Sequence, residues 1–262
     1  MKRCVVFNDV SGYGNCSLTA AIPVLSAMGV RVHPVPTAVL TRQTGYDGYS
    51  MEDLTGFMPR FTADWQGVQP DGILTGFLSN SAQGACIEGF LAAHRKADTL
   101  LVVDPVMADD GCLYDGFDEA RCNAVRRLAR QADVLTPNVS ELALLCDRAY
   151  TEAPDAVRQM GAALAEQHQV VAVTGYRQGA EIHTLVFANG TCTDIAAPLQ
   201  PGSFSGTGDL FVSVLTGGLL RGQAPADAAR QAVAFISHAI QVTKTADPRE
   251  GVDFERIMED LV

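Results

Sequence analysis

Short apolar segments alternate along the chain with longer segments in which hydrophobic residues recur every three or four positions. The short segments are typical of buried strands and the longer ones of amphipathic helices. The predicted strands are 4–8, 30–35, 72–76, 100–104, 133–136 and 170–174, and the predicted helices between them are 17–28, 51–65, 81–96, 119–130, 140–146 and 155–167. This alternation predicts a three-layer α/β/α sandwich, with a mostly parallel central sheet and helices on both faces.

The last third of the chain has a different pattern. Two strand-like segments, 182–187 and 191–195, flank Asn189-Gly190, a dipeptide that strongly favours a two-residue hairpin turn. An antiparallel hairpin is therefore predicted near the C-terminal side of the sheet. Further helices are predicted over 208–220, 226–243 and 254–261.

Composition and charge narrow the class of protein. The 262 residues are 47% hydrophobic, which suffices for a sizeable core, and we expect a single domain over residues 1–262. The net charge of −11 argues against a broad surface for nucleic acid or anionic membranes, because both need clustered Lys and Arg. No apolar run reaches the length of a signal-peptide core or a membrane span, so a cytoplasmic protein is expected. The seven cysteines are scattered without a C-x-x-C pair, so neither a disulfide framework nor a zinc site is predicted.

The hexapeptide 206–211, Gly-Thr-Gly-Asp-Leu-Phe, stands where a loop opens an apolar helix. The first amides of a helix lack intrahelical partners and the macrodipole is positive there, so such a turn can cradle an anion. A carboxylate would repel a resting phosphate, so Asp209 is predicted to accept the proton of an attacking hydroxyl. The structural alternative is an ordinary glycine-rich helix entry in which Asp209 complements the dipole.

Two other polar segments follow predicted strands, at the edge where open parallel sheets bind ligands. Asp104 leads into a loop that contains Asp109, which fits either an Asx turn or a Mg²⁺ site with water and one or two acids. Asn138 is followed three residues later by Glu141, as in a capping box. Both roles can coexist, since Glu141 could cap the helix and orient water around a metal.

Two common nucleotide-binding motifs are absent. The turn Gly12-Tyr13-Gly14 after the first strand suggests a dinucleotide fingerprint, but Ser17 occupies the place of its third glycine. The second strand also ends without an acid that could bind a ribose. A Walker loop does not occur anywhere in the chain.

Five motifs, taken in order, resemble those of the pyridoxal kinase family over nearly the whole chain. They are Gly12-Tyr13-Gly14-Asn15, Thr44-Gly45-Tyr46, Asp104-Pro105-Val106-Met107 with Asp109 and Gly111, Thr136-Pro137-Asn138 with Glu141, and Gly206 to Phe211. The resemblance implies a ribokinase-like fold and ATP-dependent phosphorylation of the 5′-hydroxymethyl group of a B6 vitamer (pyridoxal, pyridoxine or pyridoxamine) in pyridoxal 5′-phosphate salvage. It also implies Mg²⁺, a homodimer and, as a further candidate, a monovalent cation.

The same resemblance implies roles for individual residues. Asp209 matches the catalytic base, and Gly206, Thr207 and Gly208 match the anion hole. Asp104 matches an acid near the phosphates and the metal, with Glu141 as the second metal-site acid. The positions that match the surroundings of ATP are Asp104, Asp109, Tyr114, Asn138, Glu141 and Thr174, and those that match the surroundings of the pyridine ring are Asp9, Leu40, Thr44 and Phe77.

Some ring-side positions depart from the family pattern. Asp9 stands where many pyridoxal kinases carry Ser, Phe77 where many carry Tyr, and Arg42-Gln43 where many carry Asn-His. These departures leave the choice of vitamer open. One alternative is a hydroxymethylpyrimidine kinase of thiamin synthesis, which phosphorylates a similar arm. Another is a non-catalytic B6-binding protein of the same fold, against which the intact Asp209 and its glycines argue.

Overall fold

Eleven strands and eight α-helices make up the computed structural model, which describes residues 1–262. The strands are β1 Arg3–Ser11, β2 Arg31–Leu40, β3 Met51–Asp53, β4 Gly72–Thr75, β5 Leu100–Val103, β6 Ala108–Asp109, β7 Cys112–Leu113, β8 Val134–Leu135, β9 Val170–Gln178, β10 Glu181–Ala188 and β11 Thr191–Pro198. The helices are α1 Ser17–Ala27, α2 Met58–Asp64, α3 Ala82–His94, α4 Glu119–Ala129, α5 Val139–Leu145, α6 Pro154–Ala165, α7 Thr207–Leu220 and α8 Pro225–Val242. Two 3₁₀ segments, Pro248–Glu250 and Phe254–Leu261, follow α8.

Nine strands form one sheet in the order β11-β10-β9-β8-β5-β4-β1-β2-β3, and β6 and β7 pair separately. The six strands from β9 to β2 in this order run parallel, whereas β3, β10 and β11 are antiparallel additions at the two edges. The hairpin between β10 and β11 turns at Asn189 and Gly190, both with positive φ, as predicted. The predicted mostly parallel sheet with its C-terminal hairpin is confirmed.

Helices cover both faces of the sheet. Successive strand residues point to opposite sides, so Cys4 and Val6 join one hydrophobic core and Val5 and Phe7 join the other. Residues of α1, α7 and α8 fill the first core, and residues of α2 through α6 fill the second. Because both faces are buried, the central strands β4, β5 and β8 and the segment Cys4 to Phe7 of β1 are almost wholly apolar instead of alternating with polar residues. The three-layer α/β/α architecture predicted from the sequence is confirmed.

The predicted helix over 51–65 is wrong in its first half. Residues Met51–Asp53 form the edge strand β3, which pairs with Ala38 to Leu40 of β2, and α2 begins only at Met58. The side chain of Asp53 accepts a hydrogen bond from the Thr55 amide, a local turn that competes with helix formation. The segment 254–261, predicted as a helix, is a 3₁₀ segment with a break at Ile257.

The short hairpin of β6 and β7 was not predicted, although the sequence carries a signal for it. Its turn residues Asp110 and Gly111 both have positive φ, the requirement of a type I′ turn that Asp-Gly satisfies. The first strand is also longer than predicted and extends to Ser11. Asp9 therefore lies inside β1 instead of after it.

Candidate active site

The entry to α7 lies against the loop that joins β1 to α1. Gly206 is the N-cap of α7 with a φ of 80°, and a Cβ on this residue would lie 2.1 Å from the carbonyl oxygen of Asn15. Only glycine fits both the conformation and the close approach. No side chain caps this helix end, so the amides of its first turn remain open to an anion. This turn holds the three predicted anion-hole residues, Gly206, Thr207 and Gly208.

Asp209 follows in the same turn of α7 and is half-buried. Its Oδ1 accepts a hydrogen bond of 3.0 Å from the Asn8 side chain, and the backbone N–H of Ser17 also hydrogen-bonds to the carboxylate. Burial, and to a smaller extent the nearby charge of Asp9, raise the pKa of Asp209 to about 6 against the opposing effect of the two donors. A carboxylate that titrates close to neutral pH is well matched to accept a proton.

A second acid, Asp104, directly follows the central strand β5. Thr136 donates a hydrogen bond of 3.0 Å to its Oδ1. Burial and then the charge of Asp209 raise the pKa of Asp104 to about 7. The two acids that the sequence placed 105 residues apart are thus close enough to interact electrostatically across the end of the sheet.

Glu141 lies in the first turn of α5 and is only 4% exposed. Its two carboxylate oxygens accept backbone hydrogen bonds from Met107 at 3.0 Å and Asn138 at 2.9 Å. Asn138 in turn accepts a hydrogen bond from the Glu141 amide, which completes the predicted capping box. Burial and the charge of Asp104 raise the pKa of Glu141. No basic side chain is among the main causes of the shift of either acid.

The remaining predicted nucleotide residues surround this pair. The Asn138 side chain donates to the carbonyl oxygen of Ala108 at 2.7 Å and so holds the β6–β7 hairpin, which carries Asp109 and leads to Tyr114. Asn138 also forms a parallel bridge with Thr174 of β9. The pKa of Tyr114 is raised by burial and by the charges of four acids, among them Glu141 and Asp209. The structure therefore brings the predicted nucleotide residues to one edge of the sheet.

The predicted ring-side residues differ in their access to this site. Phe77 is half-buried and packs against the guanidinium of Arg121, 4.9 Å from the ring centroid, whereas Thr44 is exposed on the loop after β2. Leu40 is 2% exposed at the end of β2. Asp9 is 4% exposed, and its two oxygens accept hydrogen bonds from the hydroxyls of Ser11 and Ser17. Asp9 is thus almost fully buried, and its contact with the pyridine ring of a substrate stays a prediction.

Gln43, one of the ring-side positions that depart from the family pattern, joins three segments of the chain. Its Nε2 donates to the Ser205 hydroxyl and to the Arg249 carbonyl oxygen, each at 3.1 Å, and its Oε1 accepts from the Gly45 amide. Ser205 directly precedes the anion-hole turn, so the ring-side loop and the anion-hole loop share one buried side chain.

Comparison with known proteins identifies the family. A family model described as phosphomethylpyrimidine kinase matches residues 13–252. The chain belongs to the phosphomethylpyrimidine kinase family. Among solved structures, pyridoxal kinase from Lactobacillus plantarum is 31% identical, with a TM-score of 0.93 over 100% of this chain and 96% of that one.

Two further relatives of this kinase family member bear on its substrate. A Bacteroides thetaiotaomicron protein, provisionally named phosphomethylpyrimidine kinase, was solved with pyridoxal in an orthorhombic crystal form. It is 36% identical, with a TM-score of 0.95 over 99% of this chain and 95% of that one. A pyridoxine/pyridoxal/pyridoxamine kinase from Bordetella avium is 28% identical over 91% of this chain and 84% of its own length.

Sequence reasoning missed the residues that support the acids of this kinase. Asn8 and Ser17 both hydrogen-bond to Asp209, yet neither belongs to a recognisable motif. A weak signal was present, because Asn8 is the first polar residue after the apolar run Cys4 to Phe7.

None of the helices combines the length and the apolar character needed to cross a bilayer.

Proposed function

We propose that this kinase transfers the γ-phosphoryl group of ATP to the 5′-hydroxymethyl group of a B6 vitamer. The observation that carries the proposal is Asp209, a half-buried carboxylate with a raised pKa in the first turn of an uncapped helix. One turn thus offers both a proton acceptor and amides for a phosphoryl group. The named activities of the Lactobacillus and Bordetella relatives support a B6 vitamer as acceptor.

The nucleotide would lie along the edge formed by the β6–β7 hairpin and the start of α5. Asp109, Tyr114, Asn138 and Thr174 are assigned to its surroundings because they share this edge. The γ-phosphoryl group would then point toward the amides of Gly206 to Gly208. This arrangement lets an acidic chain bind an anion with backbone N–H groups in place of an Arg cluster.

The buried acids fit a divalent cation. The charge of Asp104 raises the pKa of Glu141, the charge of Asp209 raises that of Asp104, and hard oxygen donors of this kind suit Mg²⁺. Asp104 has one oxygen that accepts no hydrogen bond, whereas both oxygens of Glu141 accept backbone N–H groups, so Glu141 would act through water. When bound, Mg²⁺ supplies positive charge for the β and γ oxygens of ATP.

In the transfer step, the hydroxymethyl oxygen bonds to the γ-phosphorus while the bond from that phosphorus to the β–γ bridging oxygen breaks and ADP leaves. Asp209 accepts the proton of the hydroxyl. The amides of the α7 turn hold the charge on the transferring group, and loss of one such donor typically costs on the order of 10²-fold in rate.

Phosphorylation of hydroxymethylpyrimidine is the second candidate. The family description and the name of the Bacteroides relative both name a phosphomethylpyrimidine and so favour a pyrimidine acceptor, and Asp9 departs from the residue common in pyridoxal kinases. A non-catalytic B6-binding protein of the same fold is the third candidate, and it predicts that the protein binds vitamers without transferring phosphate. We further propose one domain over residues 1–262, a homodimer and a cytoplasmic location, with a monovalent cation as an additional requirement to be tested.

The role of Asp209 can be tested with a matched pair of variants. Asp209 and Asp227 occupy the same position in the first turns of α7 and α8. Asp209→Asn should lower kcat by roughly 10² to 10⁴ with little change in the KM for ATP, the range expected for loss of a general base. Asp227→Asn should leave kcat unchanged. Near-normal turnover of Asp209→Asn would show that Asp209 is not the base and only complements the dipole of α7.

A further inference from the structure

Asn8 is the side chain that contacts the proposed base most directly. It lies in β1, is 4% exposed and donates through Nδ2 to Oδ1 of Asp209 at 3.0 Å. The two residues are 201 positions apart in the chain, so the contact depends on the packing of α7 against α1, which itself packs against β1. With Oδ1 engaged by Asn8, Oδ2 is the oxygen of Asp209 without a side-chain donor.

The surrounding backbone fixes the orientation of the Asn8 amide. Its Oδ1 accepts hydrogen bonds from the backbone N–H groups of Asp9 at 3.1 Å and Phe77 at 2.9 Å. Because both of these groups are donors, the atom they meet must be the amide oxygen, and the NH₂ group must face Asp209. Gly76 leaves the necessary space, since a Cβ there would lie 2.6 Å from Nδ2 of Asn8.

We propose that Asn8 is a positioning residue that orients the carboxylate of Asp209 toward the substrate hydroxyl. The inference rests on the proposed function, because it gives Asn8 a role only if Asp209 accepts the proton. The oxygen of the Asn8 amide accepts from backbone N–H groups of Asp9 in β1 and of Phe77 just after β4, and its NH₂ group donates to the base Asp209. Asp209 is thereby fixed to the sheet as well as to its own helix, and a misplacement of about 1 Å at such a site can cost on the order of 10²-fold in rate.

The isosteric variant Asn8→Asp removes the donor and keeps an oxygen for the two backbone N–H groups, but it also places a carboxylate oxygen against Asp209. Asn8→Ser, which lacks the NH₂ group and adds no charge, tests the loss of the donor alone. We expect kcat to fall by about 10²-fold while the KM for ATP changes by less than about twofold. Asn123→Asp, which adds the same charge at an exposed position of α4, should keep the kcat of the unchanged protein.

A double-mutant cycle separates positioning from a structural effect. If Asn8 acts through Asp209, then the uncharged variant Asn8→Ser should change the residual rate of Asp209→Asn by less than about twofold, because no base remains to be oriented. Equal losses in both backgrounds would show that Asn8 only maintains the fold. Unchanged kcat of Asn8→Asp in the otherwise unaltered protein would also overturn the inference. If Asn8→Asp does not fold in a thermal melt, Asn8→Ser, which is smaller and lacks the NH₂ group, takes its place with the same expectations.

Failure of the proposed function has a different signature. An Asp209→Asn variant with normal turnover, or an unaltered protein that phosphorylates none of the candidate acceptors, overturns the proposed function and the role of Asn8 together. Normal turnover of Asn8→Asp beside an inactive Asp209→Asn overturns the role of Asn8 alone.

Discussion

The raised pKa of Asp209 predicts how the reaction depends on pH. A base must be ionised to accept a proton, so kcat/KM should fall as the pH drops through about 6, the pKa that burial gives this carboxyl. The ionised fraction is then about 90% at pH 7 and about 10% at pH 5, which predicts a loss of about tenfold between these values. An aspartate with its ordinary pKa would lose less than about 10% of its ionised form over the same range.

The assay is the initial rate of phosphorylated product at subsaturating acceptor, measured from pH 5 to pH 8 with saturating ATP and Mg²⁺. Ionisation of the vitamer or of ATP would also produce a pH dependence, and the residual rate of Asp209→Asn serves as the control. A fall in rate at low pH that is caused by protonation of Asp209 should disappear in that variant, whereas a fall caused by ionisation of the substrates should remain. A profile that is flat between pH 5 and pH 7 in the unaltered protein would refute the link between burial and basicity.

Three further substitutions test other parts of the site. The raised pKa of Asp104 means that its ionisation, which takes place as the pH rises through about 7, destabilises the folded state. Asp104→Asn removes this carboxyl, so in thermal melts at pH 8 without Mg²⁺ the variant should be about 2 kcal/mol more stable than the unaltered protein. The same variant should need more Mg²⁺ for half-maximal rate, and an unchanged titration would contradict its role. Gly206→Ala should abolish turnover because its Cβ would meet a carbonyl oxygen, whereas Gly222→Ala, also at positive φ but in open space, should cost only about 1 kcal/mol in stability. Asn138→Ala and Asp118→Ala each remove a helix N-cap worth about 1 kcal/mol, but only the first should raise the KM for ATP; equal KM values would remove Asn138 from the nucleotide site.

The sheet could be predicted from the sequence because its central strands are buried on both faces. A segment such as Leu100 to Val103 must then be apolar at every position, and such a short uninterrupted apolar run is distinguished from the longer helices by its length. The edges were harder to predict, since an exposed strand such as β3 has no such constraint and its sequence also suits a helix. The boundary of β1 was missed because Asp9 and Ser11 are polar residues inside a strand.

The acids of the site were predictable because each directly follows a strand or lies in the first turn of a helix, positions that can be recognised from the local sequence. Asp104, Glu141 and Asp209 all satisfy such local rules. Their supporting partners could not be predicted in this way. Asn8 donates to a residue in a distant helix, and Gln43 joins loops from three parts of the chain, so their roles arise only from tertiary packing.

The central claim is the identity of the acceptor. Purified protein with ATP and Mg²⁺ should be offered pyridoxal, pyridoxine, pyridoxamine and hydroxymethylpyrimidine side by side, and the phosphorylated products should be quantified by mass spectrometry with Asp209→Asn as the blank. The account predicts that at least one B6 vitamer is phosphorylated with a higher kcat/KM than the pyrimidine. Phosphorylation of the pyrimidine alone, or of none of the four compounds, would contradict it.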